Sequence, residues 1–178
     1  MLKETLRDGW VWLRLASKAW ANPLDPAFAE RFGGRWNPPG AFPTLYLNED
    51  VVTARLNLRA FIAPMPYEPE DLNLQHGPDL IGATLPRQQS VCDAHTPEGI
   101  DALSLPAQFP LTANGDTVSH TVCQRVGQRV KDRGLRGLRA RSAQSRDGVG
   151  RELAWFPASS RSKATQVSVA PFATWYWS

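Results

Sequence analysis

Residues 31–40 read RFGGRWNPPG, and residues 46–57, a few positions on, read YLNEDVVTARLN. The first segment sets a double glycine between Arg31 and Arg35 and closes on a diproline. Gly33 and Gly34 can take backbone conformations closed to other residues and let a ligand approach the main chain, while Pro38 and Pro39 fix the exit of the turn. Arg35 is suited to hold a phosphate or carboxylate there, because its planar guanidinium offers paired donors and stays charged. The same residues equally suit a structural turn with an arginine in an ion pair. Trp36 either stacks on a ligand ring or seals the core. Neither common phosphate loop is present: no GxxxxGK[ST], and no GxGxxG after a strand.

The second segment changes period. TLYLN reads as a short strand, and DVVTARLNLRAFI then repeats Val51, Ala54, Leu58 and Phe61 at helical intervals, with Asp50 standing as N-cap. Asn57 therefore falls near the middle of a helix. Upstream, GWVWLRLAS alternates as a strand, with Trp10, Trp12 and Arg14 on one face. Downstream, the proline-rich stretch from Pro64 to Pro110 contains two short apolar runs, DLIGATL and SVCDA, that suit small strands. TVSHTVCQRVGQRVKDRG returns to helical spacing through Val118, Val122, Val126 and Val130, with Gly134 at its end. GLRGLRARSA, ELAWFP and the closing QVSVAPFATWYWS read as strands, the aromatics of the last serving either the core or a partner surface. Strands at both ends with helices between predict a mixed α/β or α+β fold, of which α+β is the expectation.

At 178 residues and 42% hydrophobic composition, one domain over 1–178 is expected. The net charge of +3 is only mildly basic, and the basic residues at 125–146 lack the interleaved aromatics of a single-strand platform, so a nucleic-acid binder is disfavoured. Cys92 and Cys123 have no metal or redox spacing and read as buried thiols. The N-terminal residues have neither a signal peptide's continuous apolar core nor a membrane span, which leads to the expectation of a cytoplasmic protein. His76, His95 and His120 show no metal spacing, and all three read as non-catalytic.

The run from Arg31 to Ala54, RFGGRWNPPGAFPTLYLNEDVVTA, resembles the signature of the RES domain, the toxin half of many bacterial RES/Xre toxin–antitoxin pairs. WLRLAS around Arg14, GIDALSLPAQFP, and GLRGLRARSAQSRDGVGRELAWF extend the likeness over most of the chain. The resemblance implies a split β-sheet similar to that of the ADP-ribosyltransferases and a reaction in which NAD loses its nicotinamide by hydrolysis or phosphorolysis. NAD is then a substrate, and no resident cofactor or metal is implied. It also implies an Xre-type antitoxin as partner, with the aromatics of TWYWS as candidate contacts for it or for a second copy of the chain.

By motif, the family's arginine falls on Arg14 or Arg35, its serine on Ser142, and the strand tyrosine on Tyr46, expected to pack on the nicotinamide side. Arg31, Gly34, Arg35 and Trp36 would border the dinucleotide. The family's glutamate falls on Asn57, which is the main departure. An amide hydrogen-bonds but lacks the negative charge that steadies an oxocarbenium ion. Either this domain binds nucleotides or partners with weakened catalysis, or another carboxylate, such as Glu49 or Glu152, has taken the role, or the residue is an inactivating replacement.

Overall fold

The computed structural model describes residues 1–66, 68–72 and 77–178, so His76 lies outside the described residues. The chain is α+β, as expected. Its strands are β1 (Lys3–Thr5), β2 (Trp12–Ala16), β3 (Leu45–Asn48), β4 (Asp79–Thr84), β5 (Ser90–Ala94), β6 (Gly137–Arg141), β7 (Arg151–Trp155) and β8 (Thr165–Ala170). Helices α1 (Ala27–Phe32), α2 (Val51–Ile62), α3 (Pro97–Ala102), α4 (His120–Asp132) and α5 (Phe172–Trp175) accompany them, with a 3-10 turn at Pro69–Asp71. Among the described residues, no helix is long and apolar enough to cross a membrane.

The strands form one sheet in the order β1-β5-β6-β7-β3-β2-β4-β8. Among the described residues only β5 and β6 run parallel; the other neighbours are antiparallel. The sheet is nearly divided at its middle: β2 and β3 share one registered pair, Leu13↔Asn48, whereas β2 and β4 share five. Asn48 bridges the seam, its Nδ2 donating to the Leu13 carbonyl at 3.3 Å.

Side-chain alternation along the strands separates two faces. Leu45 and Leu47 of β3, Leu153 and Trp155 of β7, and Trp12 and Ala16 of β2 share one apolar layer. On the other face, Tyr46, Leu138, Ala140 and Ala154 pack under α4 with Val126 and Val130. On that same face beyond the seam, Leu13 and Leu15 pack under α2 and α5 with Leu58 and Phe172. The helices α2 and α4 thus straddle the central strands β3 and β7.

Asp50 caps α2 as expected, its carboxylate accepting from Thr53 N at 2.7 Å. The buried stripe is Thr53, Ala54, Leu58 and Ile62, while Phe61 is 70% exposed, so the inward face is turned from the expected one. In α4, Ser119 is the N-cap and Cys123, Val126 and Val130 are buried, but Val122 faces outward. Cys92 and Cys123 are both buried thiols. The terminal segment ends in α5 rather than a strand, with Phe172, Trp175 and Tyr176 in the core beneath α2 and only Trp177 of the TWYWS aromatics exposed.

Candidate functional site

The glycine-rich turn is clamped between β3 and α4. Gly33 has φ +76°, and the next residue packs its backbone on Tyr46: a Cβ on Gly34 would lie 2.5 to 2.7 Å from the phenol atoms. The Tyr46 hydroxyl donates to Asn37 Oδ1 at 2.7 Å and accepts from Trp36 N at 2.8 Å. Buried Asn37 in turn donates to the Ala29 carbonyl at 2.6 Å, and Gln124 of α4 holds the Gly34 carbonyl at 2.9 Å. Burial pushes the Tyr46 phenol above its ordinary value, against the backbone hydrogen bond from Trp36. Tyr46 thus spends its hydroxyl on fixing the turn. Trp36, 1% exposed, packs on Phe109 at 5.8 Å and serves the core.

Arg35 projects from this turn. Its Nη2 donates to the Val118 carbonyl at 3.0 Å, its guanidinium lies 5.7 Å over Phe109, and its buried Nε has no hydrogen-bond partner. Its charge acts on Glu152, Cys123 and His120. The ion pair that local chemistry allowed for it does not occur among the described residues; a carbonyl and a ring hold it instead.

At the seam end of β3 the polar groups gather. Glu152 of β7 lies directly opposite Asn48 of β3, and Asn57 of α2 leans over both. Asn57 Nδ2 lies 2.5 Å from Asn48 Oδ1 and 3.2 Å from Glu152 Oε2. The second oxygen of Glu152 accepts from Ala143 N at 3.3 Å, and the fully buried Ser142 hydroxyl hydrogen-bonds the same carboxylate. Removal from water raises the Glu152 carboxyl above its ordinary value, opposed by the hydrogen bonds from Asn57 and Ala143 and by the Arg35 charge. Sequence reasoning offers Glu152 only as one of two substitutes, because its approach to Asn57 depends on strand register that local pattern does not carry.

Tyr46, Asn57, Ser142 and Arg35 therefore share one face of the sheet. Of the other named residues, Arg14, Arg31, Glu49 and His95 stand apart from this group. Arg14 follows Trp12 onto the opposite face, where it donates to the Asp25 carbonyl at 3.2 Å and lies 5.5 Å over Trp20; desolvation lowers it to about 10. Arg31 is exposed with its guanidinium 5.0 Å over Phe32. Glu49 is on Arg14's face of the sheet, accepting from Arg139 Nη2 at 2.6 Å and Nε at 2.8 Å. His95 sits beside that pair, 3.5 Å from Glu4 and 3.6 Å from Asp93. His120 lies at the start of α4, lowered by burial and by Arg35. The arrangement offers a half-buried carboxylate, an amide, a hydroxyl and a fixed cation on one face of the sheet, which suits stabilising positive charge beside a bound anion.

The fold is similar to that in the crystal structure of the M. tuberculosis MbcT–MbcA toxin–antitoxin complex, with a TM-score of 0.73 at 21% identity over 94% of this chain and 86% of that one. A search of curated proteins finds no match. A family model for the RES domain matches residues 11–176. From its glycine-rich turn to the aromatics of α5, the chain belongs to the RES domain family.

Proposed function

We propose that this RES domain is the toxin of a toxin–antitoxin pair and cleaves the nicotinamide–ribose bond of NAD, with Glu152 supplying the carboxylate that position 57 lacks. The observation that carries the reading is the hydrogen bond from Asn57 to Glu152 at 3.2 Å. The other substitute, Glu49, is already paired with Arg139, whereas among the described residues Glu152 has only neutral donors in contact. In this reaction the electron pair of the glycosidic bond leaves with nicotinamide, discharging its pyridinium. Positive charge then grows on the ribose until the oxygen of water or phosphate adds and a proton is released. An ionised Glu152 opposes that charge, Ser142 and Asn57 hold the carboxylate, and Arg35 attends to the pyrophosphate.

Nicotinamide release from NAD by the purified protein tests this. Glu152→Gln should lower the rate by roughly a hundredfold to a thousandfold, the usual effect of losing one preorganised electrostatic contact. Catalysis needs the ionised carboxylate and burial raises its pKa, so activity should fall as pH drops through a value above the ordinary carboxylate range. Saturable NAD binding without nicotinamide release at any pH would instead favour a nucleotide-binding module with weakened catalysis.

A further inference from the structure

On the face of the sheet away from this site, the loop before β8 and the loop before α1 enclose an open cavity of about 680 Å³. Its lining is rich in donors: Arg161 and Lys163, the hydroxyls of Ser160 and Ser162, and Asn22. Ser162 is buried, and its Oγ accepts from Ala164 N at 3.3 Å, which leaves the hydroxyl proton free to donate. Asn22 likewise uses its Oδ1 on Leu24 N at 3.0 Å, leaving its amide donors. One carboxylate, Asp25, borders the space. Its Oδ1 is taken by Ala27 N at 2.8 Å, and its charge is offset by Arg14 behind it. Among the described residues neither Arg161 nor Lys163 has an ion-pair partner, so the cavity carries surplus positive charge and surplus donors.

We propose that this cavity is a second binding site, for the pyrophosphate group of a small molecule. A donor-rich, acceptor-poor lining with two cations matches a phosphate anion, whose oxygens only accept, and the volume is that of a small-molecule site. The site is separate from Arg35 and does not depend on the assignment of Glu152.

Calorimetric titration of the whole protein with pyrophosphate, and in parallel with ADP, tests the proposal. The titrations are made in an Arg35→Ala background, which removes the cation assigned to the pyrophosphate of NAD; saturable binding is expected there, weakened at least tenfold when Arg161→Ala/Lys163→Ala is added. Both cations are exposed, so the double variant should keep its melting temperature, which a thermal scan verifies. Binding of ADP tighter than pyrophosphate supports the site and identifies a nucleotide; equal binding supports it and identifies the free anion. No heat from either in the Arg35→Ala background, or equal affinity after Arg161→Ala/Lys163→Ala is added to it, would overturn the proposal.

Discussion

The contact between Asn57 and Glu152 changes what a substitution at position 57 should do. The Asn57 amide donates to a neighbouring carboxylate while also reaching Asn48. Placing an acid there by Asn57→Glu would set two carboxylates side by side, and like charges at that distance do not both ionise readily. The single variant should therefore lose about 1–3 kcal/mol of stability, the cost of an unsatisfied buried polar contact, and gain no nicotinamide release. The exchange Asn57→Glu/Glu152→Gln keeps one acid and one amide, and should recover both stability and turnover above either single variant. Thermal melts and nicotinamide assays on the three proteins check this; a fully active Asn57→Glu alone would remove Glu152 from the reading. Position 57 is singled out by the resemblance to the family's pattern, counted along the strand and helix that follow Tyr46. Its partner is not, because 95 residues and a strand register separate them.

Among the elements, the helices on either side of the site are set by small residues as much as by apolar stripes. In α4, Gly127 lies so close to the Trp36 carbonyl that a Cβ would fall well inside van der Waals contact, and this approach seats the arginine-bearing turn on the helix. Gly127→Ala should displace that turn, lower the melting temperature by an overpacking cost of about 1–3 kcal/mol, and weaken NAD binding along with it. A melt and a binding titration read the two effects; an unchanged melt would show that the turn is not held there. The existence of α2, α4, β3 and β6 is plain from periodicity, and so is the cap at Asp50. The rotation of each helix is less so. Periodicity favours Phe61 and Val122 as buried because they are apolar, yet α2 turns Thr53 and Asn57 toward the sheet, which sends Phe61 to solvent.

Across the whole molecule, the half of the sheet beyond the seam is joined to the central strands by little backbone pairing, so its position depends on what α2 binds. The chain's last residues supply that binding. Phe172, Trp175 and Tyr176 pack on one another at 5.1 to 5.9 Å and beneath Leu58 and Ile62. Arg55 of α2 donates to the Trp175 carbonyl at 2.9 Å, Arg59 donates to the Tyr176 hydroxyl at 3.0 Å, and the Trp175 indole reaches the Pro78 carbonyl at 2.9 Å. Such a tail reads from sequence as either a docked strand or a partner surface, since its aromatic content suits both; burial of all but Trp177 assigns it to the core. Trp175→Ala should cost about 3–5 kcal/mol, the usual range for emptying an aromatic site, measured by denaturant unfolding. Because α2 carries Asn57, the loss should extend to the site: nicotinamide release should fall even under conditions where the variant remains folded. An exposed substitution, Trp177→Ala, should leave both unchanged. Equal effects of the two would mean that the tail acts as a surface, whereas a large effect of Trp175→Ala alone ties the terminal aromatics to the placing of the helix above Glu152.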